Sequence, residues 1–323
     1  MKILVGAVLA LSVMASPAQA KDGCAQAREE VSSIKGWVSP NACSFINRQI
    51  SFGKVTTENR VQAYVDMWDA NATLWEPRKA GLPLTQGLDT IRASIAGTLA
   101  LVPDFRFRGT RIAANGPAVM FEAVNEATVK GHKITYPAVY RVLLTDDGKV
   151  LQGRRYYDRH QMFSPLEPSL PNLFGGVTDS DLPEEGGQPV MGPDELAARA
   201  AAWNNEDVAA LTAPLSGAPL SAPGLGERKL RTAKGKQNYL TTFFDQVSDV
   251  KLQPGQAVRV NGATYVEWHG TVLPKGQSAP MSFGIVERIA DKGGVSTQWQ
   301  LSFDQLPLIA DQDKIDRLYG LLR

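Results

Sequence analysis

Residues 64–77 read YVDMWDANATLWEP, a short helical phrase that ends in an aromatic run and a carboxylate followed by proline. Glu76 lies between Trp75 and Pro77, in apolar company that disfavours an ionised carboxylate. A carboxylate in such a setting is either held by a charged partner or used as a base. Which of the two applies depends on the surroundings that the fold gives to Glu76.

The layout around this stretch occurs twice along the chain. A shift of 146 positions places Pro77 on Pro223 and Asp158 on Asp304, and it places an Asn-Gly pair on an Asn-Gly pair. The order of helical and strand-like stretches also repeats, in residues 39–163 and 193–310. Identity between the copies is low but the shared order is strong, so the sequence predicts an internal duplication.

Each copy begins with helical stretches and continues with strand-like runs that are separated by turn signals. In the first copy a helix is predicted over 88–101, followed by four strands with hairpin turns at 115–116 and 146–148. Helices followed by an antiparallel meander predict the α+β class. We expect two tandem cone-shaped, barrel-like α+β domains, each with a curved antiparallel sheet wrapped over its N-terminal helices.

Composition changes along the chain predict the domain boundaries. Residues 1–20 have an apolar run and an Ala-Gln-Ala ending, as expected of a signal peptide, so we expect a periplasmic or secreted protein without membrane insertion. Residues 164–192 are rich in Pro, Gly and acids, which predicts a linker. The predicted domains are thus 21–163, with an N-terminal helical extension, and 193–323.

Charge and cysteine content exclude several classes of function. With 34 Lys and Arg against 33 Asp and Glu, nothing favours nucleic acid as a partner. Cys24 and Cys43 are the two cysteines of an apparently exported chain, which predicts a disulfide that staples the N-terminal helix, near 25–38, to the next one. The three histidines are scattered, so no metal site and no cofactor are predicted.

Four motifs in one order carry a family resemblance: DANATLWEP at 69–77, a G-x-x-x-I-R pattern at 87–92, VPDFRFR at 102–108 and DDGKVLQGRRYYDR at 146–159. Over about residues 44–160 the chain resembles the SnoaL-like polyketide cyclases, which belong to the superfamily of nuclear transport factor two. The resemblance implies an apolar pocket for a small hydrophobic molecule. Members include isomerases, cyclases, dehydratases and epoxide hydrolases, and others only bind or dimerise, so the fold does not decide the function.

The resemblance implies a general base at Glu76, because an acid before this proline is similar to the base of the isomerase-like members. Trp68 and Trp75 would surround it, and desolvation would raise its pKa toward the range of a working base. The alternative is a structural role for Glu76 at the first strand, as a cap or in an ion pair with Arg78.

A second acid/base residue is implied at Asp158, which resembles an aspartate on the last strand of the cyclases. A two-residue period places Arg154 and Tyr156 on one face with Asp158, where Arg154 would hold Asp158 ionised or orient a substrate oxygen. The alternative is a surface ion pair between Asp158 and Arg159.

Two departures from the family pattern limit the transfer of a mechanism. The histidine of the cyclases is missing from the stretch EATVKG at 126–131, and His132 is a weak substitute. The helper residues of the steroid isomerases are also missing. Tyr136 and Tyr140 share a face of the third strand and are candidates to donate a hydrogen bond to a substrate oxyanion, the alternative being simple packing.

The second copy lacks the acid, because Ser221-Ala222-Pro223 stands where the first has Trp75-Glu76-Pro77. Any catalysis is therefore expected in the first copy, with the second covering its sheet as the partner subunit of a dimer would. Three functions stay open: proton-transfer catalysis on a small hydrophobic molecule, binding of such a molecule without catalysis, and assembly.

Overall fold

The computed structural model describes residues 24–31, 33–36, 38–77, 84–179 and 192–322. The predicted signal peptide at 1–20 lies outside these ranges. Within them, no helix has the length and the apolar character needed to span a membrane. For description, the chain is divided into a first half, up to residue 179, and a second half from residue 192 onward.

The first half is α+β, as predicted, and its helices precede and flank one sheet. In chain order the elements are α1 (Ala25–Glu30), β1 (Ile34–Gly36), α2 (Pro40–Phe52), α3 (Arg60–Val65), β2 (Trp68–Trp75), β3 (Thr85–Gln86), α4 (Leu88–Leu101), β4 (Arg106–Asn115), β5 (Ala118–Val129), β6 (His132–Leu144), β7 (Val150–Tyr157) and α5 (Arg159–Phe163).

The sheet of the first half has the order β1-β4-β5-β6-β7-β2-β3. The four strands from β4 to β7 form the predicted antiparallel meander, and β2 joins it in parallel with β7. Side chains alternate between two faces. The interior face carries Phe121 and Tyr140 and packs with the helices, whereas the outer face carries Met120 and Val139 and packs with the second half.

The predicted disulfide between Cys24 and Cys43 is confirmed, and it joins α1 to α2. The N-terminal helix is shorter than the predicted 25–38, because the chain leaves it at Glu30 and forms β1 beside β4. Gly36 permits this approach: its φ is +90°, and a Cβ there would lie 2.1 Å from the Ala114 carbonyl oxygen. Pairing with the sheet therefore overrides the local helical preference.

The second half repeats the layout. Its elements are α6 (Pro193–Asn204), α7 (Val208–Thr212), a 3₁₀ turn (Ala213–Leu215), β8 (Leu220–Ser221), α8 (Ala233–Phe244), β9 (Val247–Val260), β10 (Ala263–Pro274), β11 (Met281–Lys292), β12 (Val295–Ser302), α9 (Leu306–Ile309) and α10 (Gln312–Gly320).

The second sheet has the order β8-β12-β11-β10-β9, which matches β2-β7-β6-β5-β4 of the first. The registers match as well. Trp75 pairs with Arg154 in the first sheet, and Ser221 pairs with Gln300 in the second. This pairing makes Pro77 equivalent to Pro223, as the shift of 146 predicts, so the two halves are built on one plan.

The interior of the second half is filled where that of the first is open. By strand pairing, Trp268 stands in place of Ala123, and Trp299 stands in place of Gly153. Both tryptophans are fully buried, and both donate their indole N–H to the carboxylate of Glu287. The volume between sheet and helices is thus occupied by side chains in the second half.

The outer faces of the two sheets pack against each other. Between them lie two buried ion pairs that mirror each other: Glu267 with Arg141, with N and O 2.9 Å apart, and Glu122 with Arg288, at 3.0 Å. By strand pairing, Glu122 is equivalent to Glu267 and Arg141 to Arg288. A contact in which residue i meets j and j meets i is the pattern of a twofold interface, here within one chain.

Residues 164–179, in the predicted linker, pack against the second half. Phe174 is fully buried and stacks on Tyr239 with ring centroids 4.0 Å apart. Asp179 accepts hydrogen bonds from the main-chain N–H groups of Arg231 and Thr232, next to the start of α8. Pro and Gly interrupt helices and strands, which is why this composition suggested a linker. A segment without helix or strand can still bury its apolar side chains. Residues 180–191 of the predicted linker lie outside the described ranges.

The C-terminal segment, residues 306–322, belongs to the second half in sequence and packs against the first in space. Tyr319 makes an edge-on contact with Phe163, with ring centroids 5.1 Å apart. Leu322 packs against the buried cluster around Ile134. The chain after β12 therefore returns to the open end of the first half's cone.

Candidate functional site

A cavity of about 660 Å³ lies inside the first half, between its helices and the interior face of its sheet. This volume is in the range that accommodates a drug-sized molecule. Most of the wall is apolar, and aromatic rings make up much of it. The aromatic residues that line it are Phe45, Phe52, Tyr64, Trp68, Phe105, Phe107, Tyr136, Tyr140, Tyr157 and Tyr319.

One side of the cavity carries a polar cluster of Glu76, Arg155 and Tyr64. Arg155 donates from Nη1 to Oε2 of Glu76 at 2.9 Å and from Nη2 to the hydroxyl oxygen of Tyr64. Glu76 directly follows β2, and Arg155 lies on the neighbouring strand β7. The parallel pairing of these two strands thus brings a carboxylate and a guanidinium together at the cavity wall.

The cation of the cluster is permanent. Burial opposes the charge on Arg155, but Tyr64 and Glu76 outweigh it and raise the pKa of Arg155 above its ordinary value. Its guanidinium also lies 5.6 Å from the centre of the Tyr64 ring, at cation–π distance. Arg155 can therefore donate hydrogen bonds and stabilise negative charge, but it cannot give up a proton.

Two phenols lie farther along the interior face. Tyr140 donates from its hydroxyl to Oδ1 of Asn125 at 2.6 Å. Burial raises the pKa of Tyr140 to about 12 and that of Tyr136 still higher. Both side chains are therefore neutral hydroxyls at physiological pH, suited to hydrogen bonding with a ligand oxygen and not to acting as a base.

The sequence-predicted residues fall into two groups. Glu76, Trp68, Tyr136 and Tyr140 line the cavity. Trp75 and Tyr156 are not part of the lining. They pack together, with ring centroids 5.4 Å apart, in the cluster that joins the two halves.

Arg154 contributes to the lining, but its guanidinium is directed elsewhere. It donates to the Gly153 carbonyl at 2.9 Å and to the hydroxyl of Thr73 at 3.4 Å. The two-residue period of β7 explains the difference, since it places Arg155 and Tyr157 on the interior face and Tyr156 on the outer one. The arginine beside Glu76 is thus Arg155, whereas the sequence analysis expected Arg154 to act from the face of Asp158.

Asp158 lies one residue past β7 and is not part of the cavity lining. Its carboxylate caps α5 by accepting from the His160 N–H at 3.0 Å, and it accepts from the Gln305 side chain at 2.7 Å. Asp304 mirrors it, accepting from the N–H of Leu306 at 3.2 Å and from Nε of Arg159 at 2.7 Å. We refer to Asp158, Asp304, Arg159 and Gln305 as the aspartate clasp.

The sequence analysis offered a surface ion pair between Arg159 and Asp158, but in the clasp Arg159 has a different partner. Arg159 is 1% exposed and pairs with Asp304, from the other half. The reason is the near-twofold arrangement, which brings the ends of β7 and β12 together so that each aspartate reaches the residue following the other. Sequence spacing alone cannot reveal this exchange.

Stability is expected to depend on pH through the clasp. Burial, reinforced by the charge of Asp304, raises the pKa of Asp158 to about 7. An unfolded aspartate titrates near pH ~3.9. The folded state thus holds this proton more tightly, and the stabilisation is complete below about pH 4 and is lost as pH rises toward 7. The contribution of Asp158 to the free energy of unfolding should therefore fall over that range.

Denaturant titrations of wild type and Asp158→Asn between pH 4 and 8 test this. The amide cannot titrate, so the wild type should lose more stability over this range than the variant. The lowered pKa of His160 acts in the opposite sense in both proteins and cancels in the difference. Asp311→Asn, at an exposed helix N-cap, should keep the wild-type slope. Equal slopes for wild type and Asp158→Asn would contradict the expectation.

The sequence analysis did not assign Arg155, Tyr64 or Tyr319 to the site. The alternation of side chains along β7 places Arg154 and Arg155 on opposite faces. Which of these faces lies toward the interior depends on the other strands. Tyr64 is the first residue of the stretch 64–77 and lies twelve residues before Glu76. Tyr319 had no signal, because it reaches the cavity from the far end of the chain.

Comparison with protein families identifies the segment that carries this site. Residues 52–152 match the family model of the SnoaL-like domain. The match includes α3, β2 and the meander strands β4 to β6, and it ends within β7. The resemblance drawn from the sequence motifs is therefore confirmed: this part of the chain is a SnoaL-like domain. No curated protein matches the chain.

Solved structures with similar folds align with a little over a third of the chain. A protein from Jannaschia sp. CCS1, described as a SnoaL-like polyketide cyclase, has 13% identity and a TM-score of 0.35, covering 41% of this chain and 94% of its own. A protein from Catenulispora acidiphila DSM 44928 with a ketosteroid isomerase-like fold, in complex with trimethylamine, has 17% identity and a TM-score of 0.33, covering 38% and 90%. An NTF2-like protein of unknown function from Burkholderia pseudomallei K96243 has 14% identity and a TM-score of 0.35, covering 39% and 98%.

Proposed function

We propose that the first half binds a small, largely apolar molecule in its cavity and moves a proton on it, with Glu76 as the general base. The observation that carries the proposal is the cluster of Glu76, Arg155 and Tyr64 at the wall of an otherwise mostly apolar cavity. A base beside a cation is suited to removing a proton next to a carbonyl group, because the enolate that results needs a donor for its oxygen.

The roles follow from the chemistry of each group. Glu76 accepts the proton from carbon. Arg155 and the hydroxyl of Tyr64 supply hydrogen bonds to the oxygen on which negative charge develops, in a cavity where few waters compete. Return of the proton to another carbon would complete an isomerisation. Attack of the enolate on a second carbonyl, with transfer of the proton from Glu76 to the alkoxide that forms, would complete a cyclisation. Asp158, held in the clasp, has no chemical role in this proposal.

Exchange of carbon-bound protons provides a test that does not need the natural substrate. A panel of neutral cyclic ketones is incubated in D₂O with the protein, and loss of the α-proton signal is followed by NMR. We expect exchange with the wild type and a loss of roughly 10²–10⁴-fold in Glu76→Gln, the usual contribution of a general base. Glu126→Gln, at an exposed ion pair, is the matched control and should exchange at the wild-type rate.

Binding without catalysis is the second candidate, and the ion pair itself favours it. A carboxylate already engaged by Arg155 can serve to orient a ligand and take no proton. The same experiment separates the two candidates: ketones that bind tightly but show no exchange above the solvent rate would retire the enzyme proposal and leave the binding protein.

Export of the protein remains part of the proposal. The disulfide between Cys24 and Cys43 supports it, since such bonds persist mainly in oxidising compartments. Mass spectrometry of the protein purified from its host should find Lys21 as the first residue. A chain that still begins at residue 1 would remove the argument for export.

A further inference from the structure

The segments that follow the last strand of each half are exchanged between the halves. After β7 the chain passes to the second half, where Phe174 stacks on Tyr239 and contacts Phe303 edge-on. After β12 the chain passes to the first half, where Tyr319 contacts Phe163. The aspartate clasp fixes the points at which the two segments depart, since each aspartate holds the residue that follows the other.

Phe174 and Tyr319 stand at matching places in this exchange. Phe174 lies 16 residues after Asp158, and Tyr319 lies 15 residues after Asp304. Phe174 is fully buried in the filled interior of the second half. Tyr319 instead forms part of the wall of the open cavity, together with Asp316, Gly320 and Leu322. Phe174 therefore fills part of the interior of the second half, whereas Tyr319 forms part of the cavity wall in the first half.

We infer that Tyr319 contacts the ligand of the first half, so that the site is complete only when the second half supplies its C-terminal segment. This deepens the proposed function and rests on it. The degenerate second half then has a defined role. It gave up a cavity of its own, filled by Trp268 and Trp299, and it provides one wall of the site that remains.

The composition of the wall also defines the class of ligand. The two charges of the polar cluster, on Glu76 and Arg155, neutralise each other at 2.9 Å. Tyr136 and Tyr157 lie with ring centroids 5.5 Å apart on the sheet side, and Tyr319 lines the cavity from the C-terminal segment. Aromatic side chains favour flat ring systems, which can stack or meet them edge-on. The ligand is therefore a neutral, ring-containing apolar molecule.

The test uses N-phenyl-1-naphthylamine, a neutral aromatic probe whose fluorescence rises in an apolar site, with the full-length mature protein. Tyr319→Ala should raise the Kd of the probe by about tenfold, the usual scale for the loss of one well-packed aromatic contact. Tyr319→Phe keeps the ring and should stay within about twofold of the wild type. Arg317→Ala, exposed on the same helix and not in the wall, is the matched control and should bind as the wild type does.

A second measurement does not depend on the folding of any variant. Hydrogen exchange of the wild type, with and without the probe, should show slower exchange of the amides in α10 when the probe is bound. Amides of α6, on the second half, serve as the internal control and should be unchanged.

The outcomes separate this inference from the proposed function. Ala127→Phe, which fills the cavity, should abolish binding of the probe. If the wild type binds the probe and Ala127→Phe does not, but Tyr319→Ala binds normally and α10 gains no protection, the inference is overturned and the proposed function stands. If the wild type does not bind the probe, or Ala127→Phe binds it unchanged, the proposed function is overturned and this inference with it.

Discussion

Glu267→Ala is expected to lower the free energy of unfolding by about 3–5 kcal/mol, the cost of leaving a buried charge without its partner. Glu267 is 1% exposed and accepts from Arg141 at 2.9 Å, from the Gln256 N–H at 3.1 Å and from the hydroxyl of Tyr156. Removal of this carboxylate leaves the guanidinium of Arg141, which is 4% exposed, without its charged partner between the two sheets. Equilibrium unfolding in urea, followed by circular dichroism, measures the loss.

The matched control is Glu126→Ala, which breaks the exposed pair with Arg106 and should cost at most about 1 kcal/mol. A double variant tests the reason for the effect. If part of the loss comes from the unpaired cation, Arg141→Met combined with Glu267→Leu should recover that part, because an apolar pair needs no counter-charge. The donors of Tyr156 and Gln256 stay without their acceptor, so the recovery should be incomplete. Equal losses for Glu267→Ala and Glu126→Ala would show that the contact between the sheets contributes little to stability.

Glu287→Ala is expected to have an effect of similar or larger size in the second half. Glu287 is fully buried and receives four hydrogen bonds, two from the guanidinium of Arg199 and one from each indole N–H of Trp268 and Trp299. The substitution leaves a buried cation and two buried donors without a partner. We expect a loss of at least about 3–5 kcal/mol, and the variant will fold poorly at physiological temperature.

The equivalent position in the first half provides the comparison. Strand pairing makes Tyr140 the counterpart of Glu287, and Tyr140→Phe removes one hydrogen bond, to Asn125. Its expected cost is about 1 kcal/mol. Thermal unfolding of both variants beside the wild type measures the difference. A loss for Glu287→Ala no larger than that for Tyr140→Phe would contradict the view that this polar group organises the interior of the second half.

The fold could be predicted largely because its signals are local. Turn residues at 146–148, alternation in the strands and the helical pattern at 88–101 each depend on neighbouring residues, and all agree on one α+β layout. The duplication was visible because a few positions are fixed in both halves, among them the two prolines and the two aspartates. What these aspartates do was not visible, since their partners lie about 146 residues away.

The candidate site could be predicted only in part for the same reason. Glu76 and Trp68 stand in a stretch whose own residues indicate a carboxylate in apolar surroundings. That Arg155 lies beside Glu76 depends on the pairing of β7 with β2 and β6, which a single strand cannot specify. Tyr319 depends on where the end of the chain packs, and no local pattern encodes that.

The exchange of segments between the halves affects how the candidate site depends on protein concentration. Two separate identical chains would have to use one sequence both for a cavity and for a packed interior. Covalent fusion removes that conflict, so one half can keep the cavity while the other supplies part of its wall. It also makes assembly of the site intramolecular, with an effective concentration set by the connecting chain. The site should therefore stay complete at any protein concentration.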